Sequence, residues 1–310
     1  MILHTGLRTD IPAFYAEWLK NRIKEGFVLV RNPYCPDRIS KYSLSPDVVD
    51  LLVFCTKNPA PMLPFLNCLK PYGQYWFVTI TPYGKEIEPN VPPKEQALET
   101  FQKLSGIVGP KAIVWRYDPV FLTETYSVSR HLKEFEAMAK MLSGYTHTCV
   151  FSFLDLYPKV RLNFPEGKEV LDTDKLLLGT SFAEIGKTYG INVKSCGEGN
   201  ELARCGVDTS GCMTVSAFEQ ALGKTLCAPK IRDARKECAC FLTCDIGAYN
   251  SCGHLCRYCY ANYNEKTVRK NLSMHDPNSP LLLGKLHSED EIHSVNQKSW
   301  IDLQMRLDFL

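Results

Sequence analysis

The chain has 310 residues, 45% of them hydrophobic and 23% charged, which is enough to bury a large core and fits one α/β barrel or two smaller domains. A formal net charge of +2 gives no global field for a nucleic-acid or membrane partner. Residues 1–10 lack the apolar stretch of a signal peptide, and the longest apolar runs are strand-sized, so a soluble cytoplasmic protein without a membrane partner is expected.

In chain order, residues 1–5 read as a buried strand. A helix follows over 12–25, with Pro12 in its first turn, Asp10 as cap and Gly26 as stop, and with Phe14, Trp18 and Leu19 roughly on one face. Further apolar runs lie at 27–30, 51–55, 76–80, 112–115, 149–153 and 191–193. They are rich in β-branched and aromatic residues and almost free of charge, as strands buried on both faces should be. Helices are expected between them at 94–108, 130–142 and 174–189; the first spaces Leu98, Phe101, Leu104 and Val108 at the helical period. Repeated strand–helix units predict an α/β fold, a TIM-like parallel barrel or partial barrel, with an open doubly wound sheet as the alternative.

Polar groups recur where the apolar runs end: Lys57 and Asn58, Thr79 and Thr81, Arg116 and Asp118, then Ser152, Asp155 and Tyr157. In a parallel barrel these ends form the active face. Lys57, Arg116, Asp118 and Tyr157 are therefore candidate catalytic groups and Thr79 a candidate cofactor contact, although each taken alone is equally well a cap or turn residue. The basic groups Lys230, Arg232, Arg235, Lys236 and Lys266, Arg269, Lys270 read as solvated helix faces.

The 14 cysteines are the outlier. In a long chain without an export signal they point to metal ligation and core thiols rather than disulfides. Four are isolated before residue 150; the rest lie between Cys196 and Cys259. The sharpest pattern is Cys252-Gly253-His254-Leu255-Cys256-Arg257-Tyr258-Cys259, preceded by a predicted strand over 241–249 and followed by a predicted helix over 261–271. Its spacing and the aromatic before the last cysteine match the cluster motif of radical S-adenosylmethionine proteins. A short loop of this kind wraps three thiolates around a 4Fe-4S cube and leaves one iron open for S-adenosylmethionine. A zinc site completed by His254 or another cysteine, and plain structural thiols, are the competing readings. Strand, cluster loop and helix open a radical-SAM barrel, but here they come late. The order implies a circularly permuted barrel in which the C-terminal strand lies beside the N-terminal one, or else a cluster loop on an extension.

The chain resembles a bacterial and archaeal family catalogued as a domain of unknown function, the eighteen-forty-eight family, related to radical-SAM proteins. The resemblance rests on Arg8-Thr9-Asp10-Ile11-Pro12, Thr56-Lys57-Asn58-Pro59, Thr81-Pro82-Tyr83-Gly84, Trp115-Arg116-Tyr117-Asp118-Pro119, Phe151-Ser152-Phe153, Asp245-Ile246-Gly247-Ala248-Tyr249, the cysteine motif with Tyr260-Ala261-Asn262, and His275-Asp276-Pro277. The segment His4-Thr5-Gly6-Leu7 departs from the usual family pattern, and no Gly-Gly-Glu signature for the cofactor's amino group is present. Under the permuted order, Arg8, Thr9 and Asp10 follow the neighbouring strand and are candidates for that role, with Tyr258 as a further cofactor contact.

The resemblance also implies a second constellation, Cys196, Cys212, Cys238 and Cys240, with Cys205, Cys227 and Cys244 in reserve. Four thiolates there enclose an auxiliary iron–sulfur cluster, read ahead of zinc, with unligated buried thiols as the remaining reading. Three segments are expected: 1–195 as the main part of the barrel, 196–240 as the cysteine-rich segment, and 241–310 as the strand, cluster loop and closing helix. Two functions compete. One is a radical-SAM enzyme acting on a small molecule, peptide or nucleic acid, fed by an electron donor such as flavodoxin or ferredoxin. The other is a non-catalytic iron–sulfur or zinc protein in electron transfer or nucleic-acid binding.

Overall fold

The computed structural model describes residues 1–230, 238 and 240–302; Arg232, Arg235 and Lys236 of the first basic group lie outside them. Strand β1 (Ile2–His4) runs into helices α1 (Ile11–Phe14) and α2 (Ala16–Glu25). The helix expected over 12–25 is broken at Tyr15, which leaves helical geometry while its hydroxyl donates to the Ser251 carbonyl at 2.7 Å. Gly26, at φ 78°, ends α2 in the left-handed region and hands the chain directly to β2 (Phe27–Arg31). Strand β2 turns back antiparallel onto β3 (Arg38–Ser43), so the run at 27–30 belongs to a separate small sheet and not to the main one.

The main sheet then builds through β4 (Leu51–Thr56), β5 (Gly73–Thr79), α3 (Lys94–Val108), β6 (Ile113–Val120), α4 (Val128–Leu142), β7 (Thr148–Phe153), α5 (Pro158–Asn163), α6 (Asp172–Thr188) and β8 (Asn192–Ser195). Helix α7 (Val215–Leu222), the short β9 (Cys244–Asp245), α8 (Glu265–Ser273) and β10 (Glu291–Ser294) complete it, β10 pairing with β3. The sheet has seven parallel strands in the order β8-β7-β6-β5-β4-β1-β9. Its C-terminal strand does lie beside the N-terminal one, with Leu3 opposite Cys244 and His4 opposite Asp245. Among the described strands β8 and β9 are free edges, so the expected barrel is not closed by hydrogen bonds.

Strand residues alternate between two apolar layers. Leu52, Phe54, Trp76, Val78, Trp115, Tyr117 and Phe151 face helices α1 to α4 and α6, where Trp115, Phe135 and Phe182 stack in sequence. Ile2, Leu51, Val53, Tyr75, Phe77, Val114 and Val150 face the other way, against Cys212, Met213, Phe218, Cys240 and Phe241. The crossover helices thus cover one face, as in a barrel wall, and the cysteine-rich segment fills the other. Each large apolar side chain buried this way contributes about 1.5–3 kcal/mol. The strand expected over 241–249 shrinks to Cys244–Asp245, beyond which the chain turns into the cysteine loop. The helix expected from 261 starts at Glu265, because Asn264 caps it through Thr267 N at 2.8 Å while Asn262 is engaged by the loop.

Candidate metal centres and the cavity between them

The loop from Cys252 to Cys259 leaves the C-terminal end of β9. Asn250 and Leu255, both at φ 57°, supply its two left-handed turns. It is clamped from three sides. Asn262 Nδ2 donates to the Cys252 carbonyl at 2.8 Å and Asn90 Nδ2 to the Gly253 carbonyl at 2.8 Å. His254 Nε2 meets Asp10 Oδ2 at 2.9 Å in a buried pair. Gly253 lies against Phe14, whose ring would stand 2.7 Å from an added Cβ, so the loop and α1 pack without room for a side chain there.

Burial pushes all three loop thiols up. Cys252 is raised further by Asp10 and by the other two sulfurs, and Cys256 by Glu88 and Cys259 against the opposing charge of Lys57. The sulfurs are thus electrostatic neighbours. Among the described residues, however, the ones whose ligand atoms all fall within 4.8 Å of one another are Cys196, Cys238 and Cys240. Cys212 joins them, with its Sγ 3.2 Å from Cys240 and 3.5 Å from Cys196. In this packed group Cys238 and Cys240 are pushed down by the hydrogen bond from Cys196, while Cys196 is pushed up by Cys212. Among the spare cysteines, Cys227 is exposed, and Cys244 lies within β9.

A cavity of about 310 Å³ lies between the two thiol groups. Its wall brings together Lys57, Thr79, Arg116, Asp118, Tyr157 and Tyr258 with Cys259 and with Cys196, Cys212, Cys238 and Cys240. Lys57, Thr79, Arg116 with Asp118, Tyr157 and Cys196 come from the C-terminal parts of β4, β5, β6, β7 and β8 or the residues just beyond them, the face where parallel α/β sheets place their sites. Arg116 pairs with Asp118, which also accepts from Ser152 Oγ. Burial opposes the Arg116 charge, but Asp118 and the Cys55, Cys196 and Cys212 sulfurs hold its pKa well above the usual value. Its Nε is buried with no hydrogen-bond partner among the described residues. A second cleft of about 1190 Å³, lined by Arg8, Tyr34, Lys159 and Tyr249, adjoins the first, since Tyr157 and Tyr260 line both.

Arg8, Thr9 and Asp10 do not reach this cavity wall. Arg8 Nε is bound to Asp245 Oδ2 at 2.7 Å, and Thr9 Oγ1 is buried with no partner among the described residues. The Asp10 carboxylate caps α1 through Ala13 N at 3.0 Å and accepts from Lys57 N at 2.7 Å besides meeting His254. The group expected to hold a cofactor's ammonium is therefore engaged by the protein.

Sequence reasoning missed Glu88, which is buried and accepts from Lys57 Nζ at 3.0 Å, Thr81 Oγ1 at 2.7 Å and the Tyr258 hydroxyl. Against the desolvation that burial imposes, Glu88 and the Cys256 sulfur keep Lys57 above its usual pKa. Glu198 was also missed; burial pushes it up to about 7 beside the second thiol group, where it accepts from Phe153 N at 2.8 Å. His131 is wholly buried between the Tyr117 hydroxyl and the Phe121 carbonyl.

Fold and site together define an α/β protein whose parallel strands converge on a cavity flanked by two groups of cysteines. The chain belongs to the family described as Domain of unknown function (DUF1848), whose model matches residues 2–261. No curated protein and no solved structure gives a significant match. No helix among the described residues is long and apolar enough to cross a membrane.

Proposed function

We propose that the chain is a radical S-adenosylmethionine enzyme whose Cys252, Cys256 and Cys259 hold a 4Fe-4S cluster. The observation that carries this reading is the position of the loop. It follows a parallel strand that lies beside β1, and its Cys259 stands on the wall of a cavity shared with Lys57, Thr79, Arg116 and Asp118. The succession of β9, cysteine loop and α8 is the one that the opening unit of such a fold would have, whatever its place in the chain.

The residues present fit the group. The loop offers three thiols, which leaves one iron of a cube open. The sulfurs raise one another's pKa without gathering around a point the size of one ion. Lys57 offsets the charge of Cys256 when that thiol gives up its proton. Bound there, the cluster supplies the electron that splits the sulfonium carbon–sulfur bond of S-adenosylmethionine to give a 5′-deoxyadenosyl radical. The chain's own side chains do the rest. Asp10, Asn90 and Asn262 fix the loop, and Glu88 holds Lys57 and Tyr258 in place. The unpartnered Arg116 Nε offers a donor to an anionic group such as a carboxylate. Tyr157 and Tyr260 stand where the cavity meets the larger cleft, which offers a substrate its way in. A one-electron donor such as a flavodoxin or ferredoxin completes the system.

Anaerobic reconstitution with iron and sulfide, followed by reduction in the presence of S-adenosylmethionine, is expected to yield 5′-deoxyadenosine. Changing Cys252, Cys256 or Cys259 to Ala should abolish both this product and the cluster's visible absorbance, because each thiolate holds a different iron. Unchanged iron and sulfide contents in all three variants would overturn the reading.

A further inference from the structure

We propose that Cys196, Cys212, Cys238 and Cys240 bind a single zinc ion, and that this ion joins the two open edges of the main sheet. The first argument is one of size. Four thiolates around one zinc at about 2.3 Å define a tetrahedron whose sulfurs stand about 3.8 Å apart. The contacts here are 3.2 Å and 3.5 Å, and three of the sulfurs lie within 4.8 Å of one another. In an iron–sulfur cube each thiolate takes a different iron, so the cube itself holds the sulfurs farther apart than any pair on one ion. The same comparison separates this group from the cysteine loop, whose three sulfurs are not gathered within that distance. The spacing thus favours a mononuclear site over the auxiliary cluster expected from the sequence.

The second argument is that the ligands are positioned by bonds other than their own. The Ser195 and Asp208 backbones pair, with Ser195 N donating to the Asp208 carbonyl at 3.1 Å and Asp208 N to the Val193 carbonyl at 2.9 Å. Lys194 Nζ ties the same turn down through Ser210 Oγ at 3.0 Å and the Gly211 carbonyl at 3.2 Å, which sets Cys212 against Cys196. Phe241 N donates to the Met213 carbonyl at 2.7 Å, which sets Cys240 against Cys212. Three gathered thiols, with Cys212 in contact with two of them, suit zinc, whose filled d shell imposes no geometry of its own and which binds such donors more tightly than ferrous iron. Four thiolates on one zinc leave an excess negative charge, and the Arg116 guanidinium lines the same cavity wall as the four cysteines.

The third argument is topological. Cys196 directly follows β8, one edge of the sheet, and Cys240 lies four residues before β9, the other edge. Cys196 thus leaves the C-terminal end of β8 while Cys240 leads into the N-terminal end of β9. Among the described residues no strand pairing joins those edges, and a metal here ties the two edge segments together by coordination, its ligands forming part of the cavity wall. Four protein ligands make the site a closed one, so its role is to hold the wall and not to bind substrate.

The test is direct on the full chain, and its outcome does not depend on whether the cysteine loop binds iron. Protein expressed with both metals available should carry one zinc per chain, and so should the full-length Cys252→Ala/Cys256→Ala/Cys259→Ala variant. X-ray absorption at the zinc edge should show four sulfur neighbours at about 2.3 Å. Cys240→Ser should lose the zinc; since that variant risks unfolding, cobalt exchanged into the otherwise unaltered chain provides a second reading, the visible absorption of a tetrahedral thiolate site. Iron with acid-labile sulfide in the triple variant, iron without sulfide, oxygen or nitrogen scatterers in place of sulfur, or a folded chain free of metal would each overturn the proposal.

Discussion

Asp10 illustrates how one carboxylate serves several elements at once. It caps α1, accepts from the Lys57 amide beyond β4, and meets His254 in the cysteine loop. Removing it with alanine leaves the Ala13 and Lys57 amides and a buried imidazole without their acceptor. The loss should reach about 2–4 kcal/mol, a cap of about 1 plus the desolvation of the buried groups. Asparagine keeps an oxygen for the cap and should recover a large part of that loss. Urea denaturation of the unaltered chain, Asp10→Ala and Asp10→Asn checks the order, and a midpoint unchanged in all three would show that the charge and the three contacts carry no weight. His131 gives a pH prediction. Burial is the chief cause that pushes its pKa down to about 4, so the fold accepts the neutral ring between Tyr117 and Phe121. The folded value lies below the unfolded value of 6.5. Its stabilisation is therefore full above pH 6.5 and is lost as pH falls through the folded value, for a total on the order of 3 kcal/mol. NMR titration of the imidazole should find its midpoint near 4; a midpoint near 6.5 would refute the assignment.

At the scale of elements, the loop from β1 to α1 is the tightest joint. A Cβ on Gly6 would sit 2.4 Å from the Cys55 carbonyl oxygen and 2.8 Å from its amide nitrogen. Both are backbone atoms of the central strand β4, and neither can swing aside. Gly6→Ala should therefore displace the segment that carries Arg8, Thr9 and Asp10 and destabilise by about 1–3 kcal/mol. Gly26→Ala, at a left-handed φ but with no atom within 4 Å, should cost only the conformational term of about 1 kcal/mol. Denaturant midpoints of the two variants test whether Gly6 is the more sensitive position. This joint also marks where the sequence stops being legible. Helix α3 stands where the periodicity of Leu98, Phe101 and Leu104 puts it, because that signal is local. The run at 27–30 has the same local signal as the other strands, yet its sheet is decided by its pairing with β3, which in turn pairs with β10 from the far end of the chain. The cysteine spacing is likewise readable in a short window, whereas Glu88 acquires its place from Lys57, 31 residues away, and from Tyr258, 170 residues away. No window of sequence contains that network.

At the scale of the whole molecule, the cysteine-rich segment is part of the core and not an appendage to it. The inner face of the sheet carries Ile2, Leu51, Val53, Tyr75, Phe77, Val114 and Val150, all buried, and the cover on that face comes from Cys212, Met213, Phe218, Leu226, Cys240 and Phe241. The edge strand β9, which pairs with β1, also comes from beyond residue 240. A fragment of residues 1–195 would keep β1, β4, β5, β6, β7 and β8 with their helices, but would present the inner face to water as one continuous apolar patch. At about 1.5–3 kcal/mol for each of the large side chains uncovered, the loss is as large as the whole 5–15 kcal/mol of stability that a domain of ordinary size possesses. A patch of that extent also favours association. The fragment should accordingly collect in aggregates, or stay in solution without a cooperative urea transition and without near-ultraviolet circular dichroism from Trp76 and Trp115. A monomeric 1–195 fragment with a sharp transition would mean that the sheet holds together without its inner cover. The residues from 196 onward would then be a separable module, and the joined edges inferred above would be irrelevant to the stability of the fold.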